Sequence, residues 1–401
     1  MDCWDVIVVG SGPAGATCAW KCAAGGLKTL LIDRSAVFPR YKPCGGGIPV
    51  SLTRHVDGLD PTSFLETTVT HLRHSWKGTD PILAPMLTGT DLPSDVWMVM
   101  RSKFDQYLQD QAANAGATIL LGKRITRLEM AENSVTITSD SGESFTSRYI
   151  VGADGAKGIV GTKAGLRLKK RWGIAREAEI PFQATESSNP WHPQLEPGAC
   201  YLDYGTVKNG YAWIFPKLGL LSVGAGMLTP KKPTPAGLNL VAKNLLDAMR
   251  TQLLSAGLSA DLISTDVKIW AHPIPYWTGS EAISTPNHRV LLVGDAAGLV
   301  QPLFGEGIQY AVRSGDIAAK HLVDGTPDIY AATIRAQFAD EFDAANRVAK
   351  LFHRAPFMSY KLGVKNPAGT KLVGRLMSGD IQLASIEQRI IDRIRRPLSS
   401  A

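Results

Sequence analysis

The chain has 401 residues and a formal net charge of +7, with 44% hydrophobic and 20% charged residues. This composition excludes a disordered, collagen-like or disulfide-stapled chain. It contains no run of about 18 apolar residues, so no membrane-spanning helix is expected. The length exceeds what one hydrophobic core usually supports, and we expect two interleaved domains.

The basic surplus has more than one interpretation. Lysines and arginines are dispersed along the chain, and no nucleic-acid motif accompanies them, so we expect no nucleic-acid partner. Attraction to an anionic lipid surface or to a phosphorylated ligand stays open. A solvated basic surface without a partner stays open as well.

The cysteines are few and lack the spacing of a metal site, so no metal is expected. They are Cys3, Cys18, Cys22, Cys44 and Cys200. Their odd number fits a reduced, cytoplasmic setting better than a secreted one. The first predicted strand begins almost at residue 1, so no signal peptide is expected.

Residues 5–33 predict a dinucleotide-binding β-strand, helix and second strand. A short β-branched run ends at Gly10 and leads through Gly12 and Gly15 into a helix, and the second apolar run ends at Asp33. In this pattern the first glycine permits the tight turn, the second admits a pyrophosphate, and the third lets helix and strand pack closely. Backbone N–H groups at the helix start bind phosphate, and the acid accepts hydrogen bonds from a ribose.

Residues 34–49 predict an irregular loop, because they contain three prolines and the run Gly45-Gly46-Gly47. Such a loop lets backbone approach a planar or anionic group. Cys44 follows Arg40 and Lys42 closely, which could give its thiol some thiolate character. A single loop cysteine is more often inert, so both a chemical and a packing role stay open.

The following segments alternate between strands and helices. Residues 51–93 predict little beyond a strand near Val69–Trp76. Residues 96–100 predict a strand leading to Arg101, residues 104–113 an amphipathic helix, and residues 115–121 another strand. A hairpin follows and leads to Asp154-Gly155, a second glycine-and-acid turn.

Residues 175–277 predict strands rich in tryptophan and tyrosine. Tyr211, Trp213 and Phe215 alternate and therefore fall on one face of a strand. Core packing explains most aromatic stripes, and the wall of a flat apolar cavity is the alternative.

A third buried strand ends at Asp295, and a helix opens at Gly305-Glu306-Gly307. Residues 339–396 predict helices that mix basic side chains, Arg393, Arg395 and Arg396 included, with aromatic ones. That mixture is typical of a helix at a membrane interface. A solvated helical cap is the commoner outcome.

Together these motifs resemble the FAD-dependent geranylgeranyl reductase family, whose fold is similar to that of p-hydroxybenzoate hydroxylase. The resemblance implies flavin contacts for residues of all three glycine-and-acid turns, the cysteine loop and the first helix after it. The implied cofactor residues are Gly10, Gly12, Pro13, Ala14, Gly15, Asp33, Arg34, Cys44, Gly45, Gly47, Arg101, Ile125, Asp154, Gly155, Asp295, Gly305, Gly307 and Ile308.

The resemblance also favours a substrate pocket over core packing for the aromatic stripe. Its substrate-cavity signature matches Tyr211, Trp213, Phe215, Pro216, Gly224 and Gly226. Flavin halogenases have a comparable stretch, but Tyr211 and Phe215 depart from it, which argues against halogenation.

The fold implied is α/β: a Rossmann-like FAD-binding domain, an inserted antiparallel β-sheet substrate domain and a C-terminal helical region. The expected FAD-binding domain is discontinuous and comprises residues 1–60, 95–165 and 283–325. Residues 61–94 and 166–282 form the expected substrate domain, and residues 326–401 the helical region.

The implied activity is saturation of C=C bonds in a geranylgeranyl or polyprenyl chain, with Cys44 as the candidate proton donor. No second glycine fingerprint is present for a nicotinamide, so NADPH would bind transiently or reduced ferredoxin would supply electrons. Two alternatives stay open: a class A aromatic hydroxylase using oxygen, and a non-catalytic flavoprotein that binds isoprenoid. The expected partners are an isoprenoid lipid and a peripheral membrane surface, with the oligomeric state undetermined.

Overall fold

The structure is a computed structural model of the whole chain. It describes residues 3–88, 90, 92–166, 171–182, 191–229, 235–280 and 282–386. The expected basic positions Arg393, Arg395 and Arg396 lie outside the described residues.

The chain alternates between strands and helices as far as residue 323 and is helical from residue 330. The strands are β1 Trp4–Val9, β2 Thr29–Ile32, β3 Gly47–Pro49, β4 Leu65–Val69, β5 His71–Trp76, β6 Thr79–Pro85, β7 Val96–Val99, β8 Thr118–Leu120, β9 Ile125–Met130, β10 Val135–Ser139, β11 Ser144–Gly152, β12 Arg171–Pro181, β13 Ala199–Tyr204, β14 Gly210–Lys217, β15 Leu220–Leu228, β16 Trp270–Tyr276 and β17 Val290–Leu292. The helices are α1 Pro13–Ala24, α2 Arg101–Asn114, α3 Val160–Lys163, α4 Pro235–Ser255, α5 Ile308–Val323, α6 Tyr330–Arg354, α7 Pro356–Met358 and α8 Pro367–Met377, with a π-helical turn at Ser359–Val364.

The first sheet is built around five parallel strands in the order β8-β2-β1-β11-β17. Strands β9 and β10 extend it from β11 as an antiparallel pair. The strands β1, β2 and β17 are buried along almost their whole length, as their continuous apolar sequences predict. Helices α1 and α5 pack closely against each other because Gly315 lets α5 approach the Ala14 carbonyl of α1, which a Cβ would meet at 2.2 Å.

The parallel order brings the three glycine-and-acid turns to one edge of the sheet. Gly10 follows β1, Asp33 follows β2, Asp154 comes just after β11, and Asp295 comes just after β17. Parallel strands all end at the same edge, which is where open α/β sheets bind their ligands. Turns separated by more than 250 residues in sequence therefore face one space.

The second sheet has seven strands in the order β16-β12-β15-β14-β13-β5-β6. It is antiparallel as expected, except that β13 runs parallel to β5. These two strands belong to segments far apart in sequence, so no hairpin constrains their direction.

The prediction of strands across residues 175–277 misses helix α4, which lies in this segment. Its apolar residues pack on the second sheet, Val241, Leu245 and Met249 among them. Their spacing of three or four residues is the helical signal that the strand assignment overlooked.

A third sheet of β3, β7 and β4 connects the two larger ones. Strand β4 lies in the segment expected to belong to the substrate domain, yet it pairs with β7 beside the cysteine loop. The expected domain boundaries themselves stay a prediction.

The region after residue 326 is helical through the described residues, as its sequence predicts. Helix α6 packs against the first sheet's core through Ile334, Phe338 and Phe342. Its last turns, the π-helical turn and α8 lie against the second sheet instead. Within the described ranges, no helix is both long enough and apolar enough to cross a bilayer.

Candidate active site

One cavity of about 1330 Å³ lies between the two large sheets and beneath the C-terminal helices. Small-molecule pockets usually measure roughly 300–1,000 Å³, so this cavity has room for a large cofactor and a second ligand. Most of the expected site residues line it. They are Gly10, Gly12, Pro13, Ala14, Asp33, Arg34, Cys44, Gly45, Gly47, Arg101, Ile125, Asp154, Gly155, Tyr211, Trp213, Phe215, Gly226, Asp295, Gly305, Gly307 and Ile308.

Three expected residues do not line the cavity, and each has a packing reason. A Cβ at Gly15 would meet the Gly10 carbonyl oxygen at 1.8 Å, so this glycine allows α1 to approach β1. A Cβ at Gly224 would meet the Trp213 ring at 2.1 Å, so only a glycine at this position leaves space for the ring. Pro216 is buried in β14 opposite Leu221.

The turn after β1 presents the start of α1 to the cavity. Gly12 is the N-cap residue and has no side chain to cap the helix, so the first backbone N–H groups are left for another acceptor. A Cβ at Gly12 would meet nothing nearer than Arg40 Nη2 at 3.5 Å, which shows that the space in front of this backbone is open. Helix α5 has the same arrangement, with Gly307 as its N-cap beside the cavity.

Two acids hold the turns in shape. The Asp33 carboxylate accepts hydrogen bonds from the Ser11 and Ser35 backbone N–H groups, both at 2.7 Å. Asp154 accepts from the Ile159 and Val160 N–H groups at 2.6 and 2.9 Å. Sequence reasoning assigns Asp33 to a ribose, and the structure adds that this carboxylate also fixes the glycine turn.

The cysteine loop is held between the second and third sheets. A Cβ at Gly45 would meet the Phe215 ring at 2.7 Å, and one at Gly46, where φ is +78°, would meet the Val99 carbonyl at 2.2 Å. The glycine run is therefore required by the protein's own packing as well as by any flat ring in front of it. Lys217 Nζ donates to the Cys44 carbonyl at 3.5 Å and adds a third attachment.

A buried ion pair stands behind the cysteine. Arg101 donates to both oxygens of Asp105, at 2.8 and 2.9 Å, and Arg40 lies 3.4 Å from the same carboxylate. Burial lowers the pKa of Arg101, but Asp105 and the neighbouring Cys44 side chain raise it more, so the guanidinium stays charged. Cys44 therefore lies beside a fixed positive charge.

A second set of polar side chains links the cysteine loop to the second sheet and to the turn after β17. Lys42 Nζ lies 2.9 Å from His272 Nε2, which lies 3.9 Å from Asp295 Oδ2. Burial would raise the pKa of Asp295, but the neighbouring His272 side chain and the charge of Lys42 outweigh it and lower this pKa to about 2. Burial also lowers the pKa of His272, so the imidazole is neutral at neutral pH.

The aromatic stripe forms a further part of the cavity wall. Tyr211, Trp213 and Phe215 lie ring to ring, with centroids 5.9 and 6.2 Å apart. The Tyr211 hydroxyl donates to the Phe304 carbonyl at 2.5 Å, which fixes the stripe to the loop before α5. The cavity continues past the stripe between apolar residues of the C-terminal helices, Phe352, Leu372 and Met377 among them.

These features fit a dinucleotide. Glycine backbone at the start of two helices supplies phosphate donors, and ionised Asp295 can accept hydrogen bonds from a polyol. The space in front of Gly12 is open because this residue has no side chain, and a pyrophosphate would bind in that space.

Comparison with known proteins agrees. The sequence pattern of the FAD-binding domain family matches residues 3–323. A geranylgeranyl diphosphate reductase of Rhodobacter capsulatus is 30% identical over 367 residues, covering 87% of this chain and 83% of that protein. A menaquinone reductase of Mycolicibacterium smegmatis is 30% identical over 374 residues, covering 88% and 86%.

This chain belongs to the FAD-binding, geranylgeranyl reductase family. The crystal structure of a geranylgeranyl bacteriochlorophyll reductase-like protein from Thermoplasma acidophilum superposes on it with a TM-score of 0.73. The superposition covers 99% of this chain and 97% of that one, at 21% identity. At that identity the likeness establishes a mixed α/β flavoprotein fold.

Several cavity residues of this flavoprotein were missed by sequence reasoning. Glu177 lies buried beneath the loop and accepts from Ser222 Oγ at 2.6 Å, and burial raises its pKa. Glu306 accepts from Gln309 Nε2 at 2.6 Å, and burial raises its pKa to about 8, so it carries a proton at neutral pH. Neither acid, nor His272, has a spacing that marks it in the sequence.

The glycines of the flavoprotein's first turn predict opposite outcomes for two matched substitutions. Gly12→Val should fold and lose FAD, because its side chain would enter only the cavity. Gly15→Val should lose the fold, because its Cβ would lie 1.8 Å from backbone. Flavin absorbance after gel filtration, with circular dichroism as the folding control, measures both. A folded Gly12→Val protein with stoichiometric FAD would refute the pyrophosphate assignment.

Proposed function

We propose that this protein is an FAD-dependent reductase that saturates C=C double bonds of a geranylgeranyl or other polyprenyl chain. The observation that carries the proposal is the shape of the cavity. It runs from the dinucleotide turns, past Cys44, into an apolar end between the second sheet and the C-terminal helices. A long hydrocarbon chain fits such an end.

Bound FAD would supply the hydride, and the protein would supply orientation, dryness and a proton. An isolated trisubstituted alkene accepts hydride poorly, so protonation should run ahead and leave positive charge on the more substituted carbon. The faces of Tyr211, Trp213 and Phe215 are suited to stabilise such a charge in a site without water. Cys44 is the proposed proton donor, because it lines the cavity next to Gly45, which lies against the Phe215 ring of the aromatic stripe.

The electron donor is proposed to be NADPH or reduced ferredoxin. A class A hydroxylase is the main rival and shares the fold, but it requires an aromatic substrate and oxygen. The apolar extension beneath α8 favours a lipid over a compact aromatic ring. If the protein only bound an isoprenoid and catalysed no reaction, the polar contacts around Cys44 would have no chemical role.

The reaction is tested by mass spectrometry. Chemically reduced enzyme is incubated without oxygen with an extract of isoprenoid lipids, and the molecular masses of the products are measured. We expect additions of two hydrogens, or multiples of two, to one lipid class. Fast oxygen-dependent NADPH consumption with an aromatic substrate, and no lipid product, would instead support the hydroxylase.

The proton donor is tested by Cys44→Ala. This variant should slow alkene reduction by on the order of 10²-fold, the usual scale of lost acid–base catalysis. Reduction of the flavin by its electron donor should change little, because that step precedes the alkene. Bleaching and return of flavin absorbance under anaerobic conditions separate the two steps.

The control for this experiment is Cys3→Ala, since Cys3 is exposed and does not line the cavity. Cys44→Ser, which keeps a proton but changes its acidity, should give an intermediate rate. If flavin reoxidation by alkene is as fast in Cys44→Ala as in wild type, Cys44 is a packing residue. Glu306, protonated at neutral pH, would then be the next candidate on the cavity wall.

A peripheral membrane contact is proposed for the cavity mouth. Leu351 and Leu362 line the cavity and yet are 69% and 68% exposed, with Phe357 and Met358 exposed nearby. Basic residues such as Lys350 and Arg354 accompany them. Apolar side chains rimmed by positive charge are typical of an interfacial site through which a lipid could enter.

The double variant Leu351→Ser/Leu362→Ser should therefore weaken co-sedimentation with anionic vesicles by roughly tenfold or more, since burying one leucine contributes about 1.5–3 kcal/mol. Leu254→Ser is the matched control, because Leu254 is 62% exposed on α4 and does not line the cavity. Equal vesicle binding by wild type and the double variant would place the membrane contact elsewhere or remove it.

A further inference from the structure

A second recess, of about 270 Å³, adjoins the main cavity near its mouth. The two spaces share wall residues, including Asn209, Leu228, Pro302 and His353. A ligand could therefore occupy both at once, with one end in the recess and the remainder in the apolar part of the main cavity.

The recess is strongly basic. Arg171, Lys350 and Arg354 line it together with His353, and no acidic residue does so among the described residues. None of these three cations forms an ion pair with an acid in the described part of the chain. Like charges gathered around one space repel each other unless an anion lies between them.

Two separate elements build this recess. Asn346, Lys350, His353 and Arg354 lie on one face of α6, because residues three or four apart share a helical face. Basic residues near a helix C-terminus are common, since they complement the helix dipole. The dipole does not account for Arg171, which projects to the same space from the start of β12 in the second sheet.

The pKa of His353 supports the placement of Arg171 beside α6. Burial lowers the pKa of His353, and the charge of Arg171 lowers it further, so the arginine lies close to the helix face. The imidazole is then neutral at neutral pH and can donate a hydrogen bond without adding to the repulsion. Asn209 and Asn346 supply side-chain amides, which are further neutral donors.

We propose that this recess binds the phosphate group at the head of the isoprenoid substrate, while the hydrocarbon chain extends into the main cavity. The inference rests on the proposed reductase function and narrows its substrate to phosphate-bearing isoprenoids, rather than neutral ones such as a prenylated quinone or a prenyl alcohol. Holding the head in a fixed place would set which double bond lies beside Cys44. Arginine and lysine are the side chains that proteins use for this ligand chemistry.

The experiment compares Arg171→Gln and Arg354→Gln with wild type in non-ionic detergent, without membranes. Geranylgeranyl diphosphate, digeranylgeranylglycerol phosphate and geranylgeraniol serve as substrates of the FAD-loaded enzyme. Each variant should raise KM for phosphate-bearing substrates by roughly 10- to 100-fold, the scale of one lost charge-assisted hydrogen bond. The KM for the alcohol should stay within about twofold, and kcat for all three should change little.

Lys243→Gln is the matched control for loss of one positive charge, because Lys243 is exposed on α4 and lines neither cavity. Inorganic pyrophosphate, titrated calorimetrically, gives a readout that does not depend on turnover. It should bind wild type and Lys243→Gln equally and bind Arg171→Gln more weakly by roughly tenfold or more. The diphosphate and the glycerol phosphate distinguish a free prenyl diphosphate from a lipid headgroup as the source of the anion.

Each outcome decides the proposal separately from the reductase function. Unchanged KM values and unchanged pyrophosphate binding in both arginine variants would overturn the headgroup site while leaving alkene reduction intact. A raised KM for NADPH but not for NADH, with lipid KM unchanged, would assign the recess to the nicotinamide cofactor's phosphate and also overturn it. If no lipid is reduced by wild type, the reductase function fails, and the calorimetry alone decides whether the recess binds phosphate.

Discussion

The structure depends on the parallel pairing of β1, β2, β11 and β17, which ends four strands at one edge of a sheet. Backbone N–H groups, helix N-termini and carboxylates from both ends of the chain meet there because parallel strands share a direction. The remaining parts are arranged against this edge. The second sheet faces it with aromatic side chains, and the C-terminal helices close the space between them.

The cysteine loop contacts both β7 and the second sheet, and its glycines make these contacts possible. Gly45 admits the Phe215 ring, Gly46 lies against the Val99 carbonyl, and Lys217 donates to the loop from the second sheet. Any movement of the second sheet would therefore displace Cys44. This coupling fixes the position of the Cys44 side chain by packing rather than by a flexible tether.

Charge is distributed unevenly around the cavity. Arg101, Lys42 and Asp295 form a polar group at the dinucleotide side, whereas the far side is aromatic and aliphatic. Charges are costly in apolar surroundings, so their concentration on one side leaves the other side suited to hydrocarbon. The basic recess at the mouth is the exception, and a ligand with an anionic head and an apolar tail would match both regions.

The sequence by itself determined the strand, glycine turn and helix at the N-terminus, the two later glycine-and-acid turns and the aromatic stripe, because each is a local pattern of residue types with a local structural meaning. The same patterns predicted the cofactor class that the family relationship supports. Only the tertiary structure decided that β4 pairs with β7 beside the cysteine loop, that Gly224 leaves space for the Trp213 ring, and that α4 covers the second sheet. It also brought His272, Glu177 and Arg171 to the cavities, since contacts between residues far apart in sequence leave no periodicity to read. Their positions follow from strand order and sheet packing, which no single segment encodes.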